Sequence, residues 1–214
     1  MRKHFDEDLE LLNEEMLQMS MVAEQAIQKA VQLVFQSGNI TYEEIRRLEK
    51  TSDQLETKIQ DHCLRLLLEQ QPVASDLRWI SATLKMITDL ERIGDQANDI
   101  AEISKNFVPE DIAPVVDIKD MAEATVAMVH KAINAYVKRD FELAKSVALD
   151  DDTIDNFFVA IRDELVHAIK SEELKAERII DLIMITKYLE RIADHAVNIS
   201  RWVVFAIEGF PTED

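Results

Sequence analysis

The sequence predicts an all-α fold made of two pseudo-repeated antiparallel three-helix bundles, with six long helices in total. The chain has 214 residues but only 3 glycines and 4 prolines, so few residues interrupt regular structure. Apolar residues recur at helical spacing over long segments, and no alternating strand pattern appears. An eleven-residue motif occurs twice, at 90–100 and 189–199, with seven identical positions and no gap. The repetition predicts that each half of the chain folds as one copy of the same unit.

The first half divides into three predicted helices, which form the first bundle over 1–106. The first helix runs from about Phe5 to Gln36. The second opens at a capping box, Thr41-Tyr42-Glu43-Glu44, and stops before Pro72, because proline disfavours helix in the residue before it. The third runs from 76 to about 106, with Ser75 as its predicted N-cap. The short connections make consecutive helices antiparallel neighbours.

The second half repeats this pattern over 115–214, after a predicted linker at 107–114 that contains two prolines. A fourth helix covers 118–137. Asp140 is the predicted N-cap of a fifth helix, which runs to about Ile169. Ser171 is the predicted N-cap of the sixth helix, which carries the second copy of the motif and ends before Gly209.

Charge and composition exclude several classes of function. The formal net charge is −18, from 24 basic and 42 acidic residues, so nucleic-acid backbones would be repelled. The single cysteine, Cys63, excludes an internal disulfide. No signal peptide is recognised, and no apolar run reaches the roughly 18 residues of a membrane span, so we expect a cytoplasmic protein that meets membranes only through partners. No glycine-rich phosphate loop or nucleophile triad is present, and we expect no enzymatic activity.

Each copy of the motif places two carboxylates on one helix face, because its Glu and Asp are four residues apart. Like charges at this spacing weaken a helix, so their repetition predicts a bound cation. The preceding helices carry acids at the same spacing, and antiparallel packing would bring the two helices' acids together. Oxygen-only clusters suit hard or borderline cations. The predicted metal ligands are Glu49, Asp53, Glu91, Asp95 and Asp99 in the first half and Asp151, Asp155, Glu190 and Asp194 in the second.

Two other interpretations of these acids stay open at this point. They could form ordinary surface salt bridges with Arg92 and Arg191, which would make the protein a metal-free structural interaction module. Alternatively, the protein is a di-metal helical-bundle enzyme, but the Glu-x-x-His spacing of such centres occurs only once, at Glu164 and His167. His195 directly follows an acid of the second motif and is either an outer ligand or a surface imidazole.

The two Leu-Glu-Arg-Ile-(Gly/Ala)-Asp copies, together with the segment at 71–78 (Gln-Pro-Val-Ala-Ser-Asp-Leu-Arg), resemble the bacterial PhoU family of phosphate-uptake regulators. The resemblance covers essentially the whole chain. It implies two pseudo-symmetric three-helix bundles and multinuclear metal clusters, iron or zinc among them, held by (Glu/Asp)-x-x-x-Asp motifs. Asn198 departs from an acidic third position, where the first copy has Asp99.

The resemblance also implies a regulatory function. Members of this family restrain phosphate import and keep the phosphate-starvation response off when phosphate is plentiful. The implied partners are the ATPase subunit of the phosphate importer and a sensor histidine kinase. Apolar positions expected on exposed helix faces lead us to expect a homodimer in addition.

Overall fold

The computed structural model describes residues 2–69, 72–108, 117–171 and 174–209, and helices account for nearly all of them. The predicted fold class is confirmed: within the described residues the chain forms six long helices, arranged as two three-helix bundles. The helices are α1 (Arg2–Val34), α2 (Tyr42–Glu69), α3 (Ala74–Ser104), α4 (Asp117–Lys138), α5 (Phe141–Ser171) and α6 (Ala176–Glu208).

Helices α1, α2 and α3 pack on one another, as do α4, α5 and α6, and the two bundles join along α3 and α6. A smaller contact between α1 and α4 lies beside this junction. The buried apolar side chains form one continuous core that includes residues from all six helices. The central helices, α3 and α6, therefore serve both their own bundle and the contact between bundles.

Two predicted caps are confirmed. The side chain of Asp140 accepts a hydrogen bond from the backbone N–H of Leu143 (2.9 Å), at the start of α5. The carboxylate of Glu44 accepts a hydrogen bond from the backbone N–H of Thr41 (2.9 Å), as a capping box requires. Both interactions satisfy donors that the first turn of a helix leaves without a partner.

The predicted N-cap of α3 is wrong by two residues. The helix begins at Ala74, and its N-cap is Val73, which has extended backbone angles and makes no side-chain capping bond. The backbone N–H of Leu77 donates to the carbonyl of Val73 (2.9 Å), so Ser75 lies inside the first turn. The prediction relied on the hydroxyl of Ser75 as the capping group, but the helix begins earlier, after a residue whose side chain makes no capping bond.

The predicted N-cap of α6 is also wrong. Ser171 is the last residue of α5, and its hydroxyl donates to the carbonyl of His167 (3.1 Å) in the preceding turn. Serine can bond back in this way as well as cap forward, and the sequence does not distinguish the two uses. Helix α6 begins at Ala176, after Lys175. Residues 109–114 of the predicted linker at 107–114 lie outside the described part of the chain.

The sequences of the two bundles can be aligned by matching their buried positions. Positions Ile45, Ser52, Ile59 and Leu66 of α2 correspond to Val147, Ile154, Ile161 and Ala168 of α5. Positions Met86, Leu90, Ile93, Ala97 and Ile100 of α3 correspond to Ile185, Leu189, Ile192, Ala196 and Ile199 of α6. In this register Glu49 and Asp53 fall on Asp151 and Asp155.

Helices α2 and α3 approach closely where Ser52 faces Gly94. A β-carbon built on Gly94 would lie 3.4 Å from both Cβ and Oγ of Ser52, which is ordinary van der Waals contact. The corresponding residue of α6 is Ala193, so the second bundle accommodates a methyl group at this place. This approach brings the neighbouring Asp53 and Asp95 side by side.

The variant Gly94→Ala is expected to raise the free energy of unfolding of the metal-free protein, by up to about 1 kcal/mol, because alanine favours helix over glycine. Gly94→Leu should instead lower it by about 1–3 kcal/mol through overpacking against Ser52. Urea denaturation followed by circular dichroism measures both. Ala193→Gly is the matched control and should lower stability by about 1 kcal/mol. If Gly94→Ala is as destabilising as Gly94→Leu, the account of this contact is wrong.

Candidate metal centres

The first cluster of acids lies between α2 and α3. One carboxylate oxygen from each of Glu49, Asp53 and Asp95 lies within 4.8 Å of the other two. Two oxygens on opposite sides of one cation, each bonded at about 2.1–2.4 Å, are separated by about 4.2–4.8 Å. The three side chains are therefore already at a separation from which one cation can bind all of them.

The pKa values of these acids are raised by their surroundings. Burial raises the pKa of Glu49, and repulsion from Asp53 and then Asp95 adds to the effect. Burial also raises the pKa of Asp53, again with repulsion from Asp95. The pKa of Glu91 is raised by burial and by repulsion from Asp95, with Arg92 opposing. The folded chain thus concentrates negative charge that a cation would neutralise.

Arg92 partly neutralises this charge in the protein alone. Its guanidinium lies 3.4 Å from a carboxylate oxygen of Glu91 and 3.1 Å from one of Asp95. The predicted alternative of surface salt bridges therefore describes part of the geometry. Because the Arg92 side chain is 56% exposed, it can move into solvent when a cation takes its place, at a cost of about 0–1 kcal/mol for the lost pair.

Asp99, the third acid of the first motif, points toward the second bundle. Burial raises the pKa of Asp99, the nearby Tyr188 hydroxyl of α6 opposes that effect, and repulsion from Asp95 adds to it. Asp99 is thus beside the first cluster electrostatically, and it also interacts with Tyr188 of the neighbouring bundle.

The second cluster lies between α5 and α6. Burial raises the pKa of Asp151, and repulsion from Asp194, Asp155 and Glu190 adds to it in that order. Burial likewise raises the pKa of Asp194, with Glu190 as the largest repelling charge. Glu190 also forms an ion pair with Lys187, one turn earlier on α6. Electrostatic repulsion thus links all four predicted acids of the second half, although among the described residues only the first cluster brings three ligand oxygens within 4.8 Å.

The residues that follow the second cluster form part of the contact between bundles. The Nδ1 atom of His195 lies 2.8 Å from a carboxylate oxygen of Asp89 on α3, and the amide of Asn198 donates to the same oxygen at 3.4 Å. His195 is therefore not a free surface imidazole, because its Nδ1 atom is paired across the junction. Asn198 corresponds in register to Asp99, and both residues interact with side chains across the α3–α6 junction.

Glu56, which is not among the predicted ligands, also lies beside the first cluster. Its charge adds to the repulsion that raises the pKa of Glu91, and its carboxylate accepts a hydrogen bond from the Thr88 hydroxyl (3.4 Å). A signal was present in the sequence, because Glu56 lies three residues after Asp53 and so on an adjacent part of the same helix face.

The donor set of both clusters is oxygen only, which fits hard cations such as Mg²⁺, Ca²⁺, Mn²⁺ and Fe²⁺ better than Zn²⁺, whose sites in proteins use mainly His and Cys. Burial raises the pKa of Cys63 to about 12, and the thiol lies in the core, so it offers no thiolate ligand. The residues present therefore fit a metal of the kind that carboxylates bind. The identity of the metal stays a prediction.

The position of Glu164 does not support the alternative prediction of a di-metal enzyme. Burial raises the pKa of Glu164, and the charge that repels it is Asp117 of α4, outside both clusters. The pair Glu164 and His167 is therefore separate from the acids predicted to bind metal.

No helix in the part of the chain that the structure describes combines the length and apolarity needed to cross a membrane.

Known proteins resemble this chain over nearly its whole length. The family described as "PhoU domain" matches it twice, at residues 16–104 and 118–203. A Clostridium acetobutylicum protein named as a phosphate-specific transport system accessory protein PhoU homolog is 33% identical, and the match covers 97% of this chain and 96% of that one.

Two solved structures share the fold. The crystal structure of PhoU from Pseudomonas aeruginosa matches with a TM-score of 0.87 at 30% identity, covering 96% of this chain and all of that one. The crystal structure of a phosphate transport system regulatory protein PhoU from Streptococcus pneumoniae matches with a TM-score of 0.85 at 25% identity, covering 98% of this chain and all of that one.

Replacing Glu49 by Gln is expected to stabilise the metal-free protein at pH 7.5, by about 0.3–1 kcal/mol, because it removes repulsion from Asp53 and Asp95. The gain should shrink as the pH falls. A raised pKa means that the folded state binds protons more readily than the unfolded state, so protonation relieves the repulsion in the wild type at low pH.

The measurement is urea denaturation of both proteins between pH 4 and pH 8, after dialysis against a chelator. In the presence of Mn²⁺ the order should reverse, because the variant loses a ligand and with it part of the stabilisation that binding provides. A variant that is less stable than wild type in the chelator at pH 7.5 would show that these acids do not repel one another.

Proposed function

This chain belongs to the PhoU family, and on that premise we propose that it regulates phosphate uptake as a metal-binding adaptor rather than as an enzyme. The observation that carries the proposal is the duplicated acidic cluster, which occurs at the same place in both bundles. The acids recur in register in both bundles although like charges at this spacing weaken a helix.

The names of the relatives support the regulatory part of this proposal. The Clostridium acetobutylicum relative is named as an accessory protein of a phosphate-specific transport system, and the Streptococcus pneumoniae protein as a regulatory protein of phosphate transport. We propose that this chain acts on the cytoplasmic side of such a system. Its proposed partners are the importer's ATPase subunit and a sensor histidine kinase, and its effect is to restrain uptake and the starvation response.

The proposed metals are iron or zinc in multinuclear clusters, with iron favoured by the oxygen-only ligand set. Bound cations would neutralise the acidic surface, so that a partner protein or phosphate would meet a less negative charge there. In the protein itself, α2 and α3 hold Glu49, Asp53, Glu91 and Asp95 in position, and α5 and α6 hold the corresponding acids. Arg92 and Lys187 are the cations that must move aside when metal binds.

A homodimer is part of the proposal. Exposed apolar side chains occur on the second bundle, with Ile169 56% exposed and Ile180 61% exposed. Isolated exposed apolar residues are ordinary, but these two lie near the same end of α5 and α6, beside Val166. Light scattering on the eluting protein measures the mass, and a monomer at micromolar concentration would contradict this part.

The cellular test replaces the chromosomal gene with a variant that carries Glu91→Gln, Asp95→Asn, Glu190→Gln and Asp194→Asn. In high phosphate, a starvation-responsive reporter should then rise by most of the amount that deletion of the gene causes. The reason is that the variant keeps the fold but loses cluster charge. Phosphate uptake, measured with radiolabelled phosphate, should increase in parallel.

A matched control removes another pair of acids spaced four apart. Glu10 and Glu14 of α1 are both exposed and lie outside the clusters, so Glu10→Gln with Glu14→Gln should leave the reporter at the wild-type level. Immunoblots establish that all proteins accumulate equally. Full repression by the cluster variant would argue that the acids play no part in regulation, and full repression in the deletion strain would overturn the regulatory proposal itself.

A further inference from the structure

A long stretch of α1 is nearly without charge. Residues 16–36 contain two charged side chains, Glu24 and Lys29, although charged residues make up 31% of the chain. Both are paired within the protein. The Nδ1 atom of His130 lies 3.1 Å from a carboxylate oxygen of Glu24, and the ammonium group of Lys29 lies 3.6 Å from one of Glu44. The outward side of this stretch therefore presents apolar and amide side chains to its surroundings.

These outward side chains form one face of the helix, which we call the neutral face. At 100° per residue its members fall within a sector of about 80°. They are Leu17, Met21, Gln25, Gln28, Gln32 and Phe35. Leu17 is 37% exposed and Met21 is 58% exposed, one turn apart, so the N-terminal end of the neutral face is an exposed apolar surface.

The other end of the neutral face is concave. A cavity of about 520 Å³ opens there between α1 and α4. Its lining is apolar side chains, uncharged polar side chains and one ion pair: Val31, Phe35, Ala122 and Val126, then Gln28, Gln32 and Ser37, then Lys119 with Glu123. The ammonium group of Lys119 lies 3.9 Å from a carboxylate oxygen of Glu123, so the two charges compensate each other and the cavity has no net charge.

The cavity exists because one polar bridge between the bundles is not repeated. The buried positions of the two helices align, with Met16, Ala23, Ile27, Ala30 and Val34 of α1 corresponding to Ile118, Thr125, Val129, Ala132 and Tyr136 of α4. In this alignment Glu24 corresponds to Val126, and His130 corresponds to Gln28. Glu24 and His130 pair across the α1–α4 contact, whereas a valine side chain cannot pair with Gln28. One half of the contact is therefore closed by an ion pair, and the other half stays open.

A second copy of this chain is the occupant that the charges favour. Each copy has a formal net charge of −18, so two copies repel each other where charged faces meet. A stable contact between them therefore needs a face without net charge, because like charges placed opposite each other across an interface are costly. The neutral face, with the cavity beside it, meets this requirement.

The shape of the neutral face also suits a second copy. The exposed apolar end is centred near residue 19 and the cavity near residue 33, about 21 Å apart along the helix axis. In a two-fold arrangement each contact occurs twice, with the roles of the copies exchanged. If α1 lies antiparallel to its copy with the axis near residue 26, the apolar end of each copy meets the cavity of the other.

We propose that this chain dimerises through α1, with Leu17 and Met21 of each copy inserted into the cavity between α1 and α4 of the other. The inference rests on the homodimer of the proposed function and assigns its interface. Interface cores are depleted in charged residues and enriched in methionine and aromatic residues, as this face is. The exposed Ile169 and Ile180 of the second bundle are the competing surface, but the exposed Glu177 lies one turn before Ile180 on α6.

The first test introduces a charge and then compensates it. Met21→Glu should raise the dissociation constant of the dimer by at least about tenfold, because it places a carboxylate in a largely apolar cavity. Adding Gln32→Lys should restore dimerisation, since position 21 of one copy faces position 32 of the other. Within one copy these positions are three turns, about 16 Å, apart, so the new charges cannot pair there.

Sedimentation equilibrium of the full-length proteins over a concentration series measures the dissociation constant. Ile169→Glu with Ile180→Glu is the matched control, because it adds charge to the competing surface, and it should leave the dissociation constant unchanged. Thermal unfolding followed by circular dichroism establishes that each variant is folded.

The second test locates the two-fold axis by crosslinking. In the proposed dimer the two copies of position 25 lie about 3 Å apart along the helix axis, and the two copies of position 10 about 48 Å apart. A short bis-maleimide should therefore join Gln25→Cys into a covalent dimer and leave Glu10→Cys monomeric on a denaturing gel. The native Cys63 is buried in the core and should not react in the folded protein.

The outcomes separate this inference from the homodimer on which it rests. If the wild type is a dimer that Met21→Glu leaves intact, the interface lies elsewhere and the inference is wrong, while the homodimer stands. A Met21→Glu variant that Gln32→Lys does not rescue, together with no crosslink through Gln25→Cys, would also overturn it. If the wild type is monomeric at every concentration, the proposed homodimer fails together with the inference.

Discussion

The packing of α2 against α3 is the interaction on which the rest of this structure depends, because it holds carboxylates of neighbouring helices side by side. The apolar sides of α2 and α3 pack into the core, and this packing holds Glu49, Asp53 and Asp95 together despite their like charges. Burying apolar surface contributes about 25 cal/mol per Å², so the core easily outweighs repulsions of a few tenths of a kcal/mol each. The fold thus maintains a concentration of charge that the isolated helices would not.

The same helices that carry the clusters also join the two bundles. On α3, Asp89 contacts His195 and Asn198 of α6, and Asp99 interacts electrostatically with Tyr188. Asp89 lies two residues before Glu91, and His195 directly follows Asp194, so these contacts are within about one helical turn of the motif acids. A change in the position of α3 relative to α2 would therefore also act on the junction between bundles.

Local patterns in the sequence predicted most of the fold, because helical periodicity and short connections depend on neighbouring residues. These patterns also predicted that the Glu and Asp of each motif lie on the same face of their helix. The starts of α3 and α6 were missed because Val73 and Lys175 make no side-chain capping bond and so leave no signal. Glu56 was missed because its position beside Glu91 depends on how α2 is aligned with α3. The bond between Asp89 and His195 joins residues far apart in the chain, and only the packing of the two bundles reveals it.

The central claim is that both acidic clusters hold cations. The most direct measurement is a crystal structure of the full-length protein loaded with Mn²⁺, with diffraction data collected at the manganese absorption edge. The account predicts anomalous density between α2 and α3, beside Asp53 and Asp95, and between α5 and α6, beside Asp194, with Arg92 turned away from the acids. Manganese-loaded crystals with no anomalous density at either place, and with Arg92 still paired with Glu91 and Asp95, would contradict it.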